Sequence, residues 1–289
     1  MNEVQQQQNL EQILTTLGNL PSSPEVVSLV MGMTADLNTD VRELSKALAS
    51  DPAMAARALK LSNSSFYGRP ANVSSVEEAV MVLGFFTVRS LVVATATYEL
   101  FNTANDSENP ACKLWEHSLA TAIAARQIAQ RITHSQVEEC FLAGLMHDIG
   151  KLILLQKFPE QYKALTDEQE PGADALACER ETFGFGHDEL GAALLTAWTF
   201  PEALVTAIAD HHNRVVINEG GTKPISIVAN LASAIARDIG VGFCPFENSE
   251  EFLVEHYWSA QALSIDDATL ADLRNTLAEN FHQERSLFV

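Results

Sequence analysis

Five histidines and one aspartate carry the residue types in this 289-residue chain that could do chemistry together: His117, His147, His187, His211 and His212, with Asp148. His147 and Asp148 are adjacent, at the end of the apolar run Phe141-Leu142-Ala143-Gly144-Leu145-Met146. Burying an imidazole and a carboxylate without partners is strongly unfavourable, so something must satisfy them. A hydrogen-bonded core pair is one solution. The other histidines offer a second. His117 lies in Trp115-Glu116-His117-Ser118, His187 opens Gly186-His187-Asp188-Glu189, and His211-His212 closes a further apolar segment. One or two divalent transition-metal ions would satisfy all of these groups in one cavity. Imidazole and carboxylate donors suit Fe, Mn, Zn, Co or Ni, and the absence of cysteine ligands gives no strong choice among them. Such an ion activates bound water and stabilises phosphoryl transfer. Lys151, three residues past Asp148 and on the same helical side, could meet a substrate phosphate. Of the remaining histidines, His134 and His282 read as surface residues, and His256 sits near a helix end with no partner in view.

The elements that must position these residues read as helices throughout. With 14 glycines and 10 prolines the chain is poor in the turn residues of an all-β protein. Leu10, Ile13, Leu14 and Leu17 share a helical face after a Gln-rich start. Pro24 opens a helix with Val26, Val27, Val30 and Met33 inward. Asp40 to Glu43 and Ser75 to Glu78 are capping boxes, and Asp51-Pro52 is a cap with proline at the first helical position. Gly84 suits a helix end, and Thr87 can cap the next helix, running to Phe101. A long helix is expected over 111–132, with others near 136–146, 149–155, 159–167, 172–183, 187–198, 201–212, 224–239, 248–260 and 266–282. The Val and Ile runs at 215–217 and 225–228 are where a short strand could hide. Phe66-Tyr67, Phe85-Phe86 and Trp198-Thr199-Phe200 are expected to pack in the interior. The loop from Asn63 to Arg69 offers amides, hydroxyls, an aromatic ring and a cation, a candidate contact for a ligand or partner.

Composition limits the partners. Against 38 Asp and Glu stand 18 Lys and Arg, a formal net charge of −20. General nucleic-acid binding needs a basic surface, and anionic membrane surfaces repel this chain for the same reason. The first residues lack the basic start and apolar run of a signal peptide, and no apolar run approaches the ~20 residues of a membrane helix. Cys112, Cys140, Cys178 and Cys244 are widely spaced, without the pairing of a zinc site, and read as buried helical cysteines in a reducing cytoplasm.

Gly144-Leu145-Met146-His147-Asp148-Ile149-Gly150-Lys151 resembles the signature of the HD superfamily of metal-dependent phosphohydrolases. The wider order of motifs resembles the HDOD family over about residues 18–240. It includes Leu20-Pro21 to Glu25, Asp51-Pro52-Ala53-Met54-Ala55, Leu61 to Gly68, Val73 to Ala79, Trp115-Glu116-His117-Ser118, and Gly186-His187 through Trp198, Pro201 and His211-His212. The resemblance implies an all-α, two-lobed helical bundle with an HD-like second lobe. Its parts would be an N-terminal helix at 1–18, one lobe at 19–105, the HD-like lobe at 106–245 and a helical extension at 246–289. It implies a role mostly in bacterial signalling, in a family whose members often lack a complete HD site. By the same resemblance His117, His147 and Asp148 match the metal ligands. His187, His211 and His212 match extra histidines of the related HD-GYP phosphodiesterases, and Lys151 their phosphate-facing lysine. Asn230 stands where the closing aspartate should fall, and Lys113 replaces a carboxylate one turn before His117; both changes weaken a polynuclear site.

Two functions follow from these features. One is a regulatory module that engages a signalling protein or a small nucleotide-like ligand, with a histidine-rich metal site and little or no catalysis. The other is a phosphohydrolase acting on a phosphomonoester or cyclic dinucleotide, in which Asp148 and Lys151 would be catalytic. The acidity favours the first, because a negative surface slows capture of nucleotides.

Overall fold

The computed structural model describes residues 13, 24–65, 67, 73–101, 109–132, 136–167, 174–214, 225–241 and 258–288. Leu10, Leu14, Leu17, Phe66, Arg69, His134, Cys244, His256 and the run 215–217 lie outside the described residues, as does most of the polar stretch 102–110. The described residues are helical or in turns, with no strand among them. They fall into two compact units, one from Phe101–Glu279 with Ile13, the other from Ser23–Leu100 and Asn280–Val289.

Local capping chemistry sets the helices of the second of these units. Helix α1 (Glu25–Ala35) starts at Pro24. In α2 (Val41–Ala49) the Asp40 side chain takes the Glu43 amide and Glu43 returns to the Asp40 amide. The Asp51 carboxylate accepts from Ala53 and Met54 to open α3 (Pro52–Ser62). Ser75 and Glu78 form the second capping box, on α4 (Val76–Leu83). Each cap satisfies amides that have no partner within their own helix. Gly84 then turns the chain at φ 76°, and α5 (Phe85–Phe101) follows at once. Thr87 therefore lies inside the first turn of α5 and does not cap it. Leu44, Leu48, Met54, Leu61 and Val80 are buried where α2, α3 and α4 pack together, and Val27 is buried on α1, which packs on α2.

The other unit is organised on α6 (Pro110–Ile132), whose Leu114, Leu119, Ile123 and Ile128 are all buried. Helix α7 (Val137–Met146) and α13 (Ile225–Asp238) pack on it and on each other. Gly144 permits the α6–α7 crossing, since a Cβ there would lie 2.8 Å from the Ala122 Cα. Between α7 and α13 come α8 (Ile149–Lys157), α9 (Pro159–Asp167), α10 (Ala175–Phe183), α11 (His187–Ala197) and α12 (Glu202–Ala209). Helix α14 (Asp267–Arg285) contributes residues to both units.

Several expectations need correction. Residues 225–228 are the first turn of α13, because the apolar run continues with helical spacing through Ile235. Helix α12 stops at Ala209 rather than at His212, which leaves the two histidines in the following turn. Phe86 is 52% exposed, its ring covered on one side by the Arg89 guanidinium at 4.9 Å, while Trp198 and Phe200 are buried as expected. Of the described cysteines only Cys140 is buried; Cys112 and Cys178 are half-buried, and none is in a disulfide.

Candidate metal centre

The break between α7 and α8 places the central pair. His147 continues the helical backbone as the residue after Met146, and Asp148 (φ −102°, ψ 13°) precedes α8 without capping it through its side chain. Its carboxylate is thereby left to point elsewhere. Gly150 lets α11 come close. A Cβ there would stand 2.1 Å from the His187 carbonyl oxygen, so only glycine allows the two backbones to meet.

The histidines converge on Asp148 with their Nδ1 atoms already engaged. His147 Nδ1 donates to the Gly144 carbonyl (2.7 Å), and His211 Nδ1 to the Ile208 carbonyl (2.6 Å). His187 Nδ1 donates to Glu179 Oε2 (2.6 Å), which also takes the His187 amide (2.7 Å). A neutral imidazole that donates from Nδ1 presents a lone pair at Nε2. Those three Nε2 atoms face the carboxylate: His147 at 3.3 Å from Oδ2, His187 at 3.4 Å and His211 at 3.8 Å from Oδ1. His212, half-buried, adds its Nε2 at 3.0 Å from that of His187.

Lys151 Nζ donates to Asp148 Oδ2 (3.1 Å) from within the protein, where it is 7% exposed. His117 lies on α6, its Nδ1 3.3 Å from the Val241 carbonyl and its Nε2 3.1 Å from Ser233 Oγ. Asn230 donates through Nδ2 to the His211 carbonyl (3.0 Å) and accepts from Ser259 Oγ, so its amide steadies the turn that carries His211. Lys113 is half-buried one turn upstream of His117. His282 is exposed in the last turn of α14.

Burial alone would raise the Asp148 carboxyl; the charges of His147 and Lys151 outweigh it and hold the group well below the usual carboxylate range. Burial pushes His211 and His212 well below the ordinary histidine value, and the neighbouring imidazoles push in the same direction. The pocket therefore contains a carboxylate facing the neutral rings of His211 and His212.

These residues fit a divalent transition metal. Asp148 Oδ1 and His211 Nε2 are buried and, among the described residues, make no hydrogen bond. Both are acceptors, and acceptors facing each other away from water are unfavourable unless a cation lies between them. Ligand atoms of Asp148, His187, His211 and His212 lie within 4.8 Å of one another, and so do those of His117, His147 and Asp148. Fixing Nδ1 with a carbonyl or carboxylate is how proteins orient imidazole ligands and raise their basicity.

Reading the sequence missed Glu179 and Ser233. Glu179 is fully buried, accepting from His187 and from the Tyr162 hydroxyl (3.3 Å), yet it sits in the polar run Cys178-Glu179-Arg180-Glu181 with nothing to mark it. Ser233 had a signal. It is a hydroxyl within the apolar stretch Leu231-Ala232-Ser233-Ala234-Ile235, one turn beyond Asn230.

A histidine–aspartate centre within an all-helical unit defines the class. The HDOD domain matches residues 20–214, and the chain belongs to the HDOD family. Helix α13, with Asn230 and Ser233, lies beyond the matched stretch. The fold is similar to that of an HDOD domain protein of unknown function from Geobacter sulfurreducens, at 25% identity and a TM-score of 0.75 over 100% of both chains. It is also similar to a "putative phosphohydrolase" from Shewanella amazonensis SB2B, at 25% identity and a TM-score of 0.71 over 96% of this chain and 98% of that one. An uncharacterised protein of Treponema pallidum is 23% identical over 247 residues, 85% of this chain. The chain spans 47% of that relative's length.

Proposed function

We propose that this chain is a regulatory signalling protein. Its histidine unit holds a divalent transition metal, with little or no turnover, and it acts by engaging a signalling protein or a small nucleotide-like ligand. The observation that carries the metal reading is the convergence of three imidazoles on Asp148, each with its Nδ1 already held by a carbonyl or carboxylate. Asp148, His147, His187 and His211, with His212 and His117 beside them, are the residues that would hold Fe, Mn, Zn, Co or Ni. When bound, such an ion supplies Lewis acidity and cross-links α8, α11 and the turn after α12.

The chain's own groups support binding over turnover. His147, Asp148, His187 and His211 are each 2% exposed or less, so a phosphoester has no open approach to them in this state. Lys151 neutralises Asp148 rather than facing outward. The net charge of −20 opposes capture of anionic substrates and suits contact with a protein. The hydrolytic alternative draws on Lys151 beside Asp148 and on the Shewanella neighbour; release of Lys151 from Asp148 would make it a phosphate ligand.

Metal analysis and a phosphatase panel test the reading. The chain, stripped and reconstituted, should retain at least one transition-metal ion, lost in Asp148→Ala, and should show little turnover of phosphomonoesters or cyclic dinucleotides. A chain that stays metal-free after reconstitution sinks the metal site. Robust turnover abolished by Asp148→Ala would replace this reading with the phosphohydrolase.

A further inference from the structure

We infer that the centre holds a single ion, on Asp148 Oδ1 with His187, His211 and His212, and that Ser233 closes the other half as a hydrogen-bonded core. The inference rests on the metal reading above and assigns where in the cluster the ion sits.

The two oxygens of Asp148 divide the cluster. Oδ2 faces His147 Nε2 and receives the Lys151 ammonium at 3.1 Å. Oδ1 faces His187 Nε2 and His211 Nε2 and makes no hydrogen bond among the described residues. On the Oδ2 side Ser233 Oγ stands 3.1 Å from both His117 Nε2 and His147 Nε2. A hydroxyl has one hydrogen and two lone pairs, so it can donate to one ring and accept from the other. Each of these atoms has a hydrogen-bond partner among the described residues, and none of them is orphaned. That half also offers an ion little: Ser233 is a neutral oxygen where a carboxylate would add charge, and Lys151 already occupies the neighbouring Oδ2. An ammonium so close repels a second divalent ion.

On the Oδ1 side the balance reverses. Among the described residues, Asp148 Oδ1 and His211 Nε2 are the atoms of the cluster left without a hydrogen bond. The separations there are 3.0 Å (His187 to His212), 3.4 Å (His187 to Asp148) and 3.8 Å (His211 to Asp148). A tetrahedral ion with bonds of about 2.0 Å to nitrogen has ligand atoms about 3.3 Å apart. Those three separations lie within about 0.5 Å of that value, and the ligand atoms of all four residues lie within 4.8 Å of one another. Ser233 acts here as a determinant of how many ions the protein takes.

Titration of the metal-free chain with Co²⁺, read by cobalt visible absorption and by metal analysis of the desalted product, tests this. Wild type should saturate at one equivalent. Ser233→Ala should keep that endpoint and the absorption band, whereas His211→Ala and His212→Ala should lose the band. His212 is half-buried, so its variant decides the matter if circular dichroism shows His211→Ala to be unfolded. A two-equivalent endpoint in wild type overturns the inference. So does a band lost in folded Ser233→Ala and kept in His212→Ala. No cobalt uptake by wild type would instead remove the metal reading on which the inference stands.

Discussion

Glu179→Gln separates orientation from charge at this centre. Glu179 Oε2 takes two hydrogen bonds from His187, at 2.7 Å from the amide and 2.6 Å from Nδ1, and the carboxylate is fully buried. Glutamine keeps an oxygen in that place and turns its NH2 toward the Tyr162 hydroxyl, which can accept. The shape survives while the negative charge is removed. Hydrogen bonds to a charged group contribute about 1.5–3 kcal/mol each, against about 0.5–1.5 for neutral pairs. Two weakened bonds remove about 2 kcal/mol with no solvent screening to discount. At about 2–4 °C per kcal/mol for a unit of this size, the metal-free melting temperature should fall by about 4–8 °C. Loss of the group that makes His187 Nε2 more basic should weaken metal affinity about 10- to 100-fold. Calorimetric melting and a competition titration against a chelator read the two effects separately. A variant with wild-type melting and wild-type affinity would refute the assignment of Glu179 as the positioning residue of His187.

Gly150→Ala puts a Cβ 2.1 Å from the His187 carbonyl oxygen, so α8 and α11 must part. Overpacking of this kind costs about 1–3 kcal/mol, and denaturant unfolding should show it alongside reduced metal uptake. Ser75→Ala removes the acceptor of the Glu78 amide and should lower stability by about 1 kcal/mol, seen as a lower urea midpoint at unchanged slope. The Cys140 thiol, pushed up to about 12 by burial, should resist iodoacetamide at pH 8 in the folded chain while Cys112 and Cys178 react; peptide mass spectrometry reads all three.

The helical fold was legible because its signals are local. The Asp40 and Ser75 capping boxes, the Asp51 cap and the glycine after Leu83 act within a few residues of themselves, and each stands where the sequence places it. The clustering of His147, Asp148, His187, His211 and His212 was foreseen from residue type and from the order of the family's motifs. What the pattern left open depends on packing between distant segments. Glu179 looks like any surface glutamate until α10 is laid against α11. The role of Ser233 depends on α13 crossing α6 and the end of α7, which bring His117 and His147 to one hydroxyl. Thr87 misled because a glycine at positive φ allows α4 and α5 to follow each other directly, with no cap between them.

Anomalous diffraction at the absorption edge of the reconstituted metal tests the central claim most directly. The account predicts one peak per chain, within bonding reach of Asp148 Oδ1 and the Nε2 atoms of His187, His211 and His212. No peak at that position, or a peak between His117 and His147 with Ser233 displaced, would contradict it.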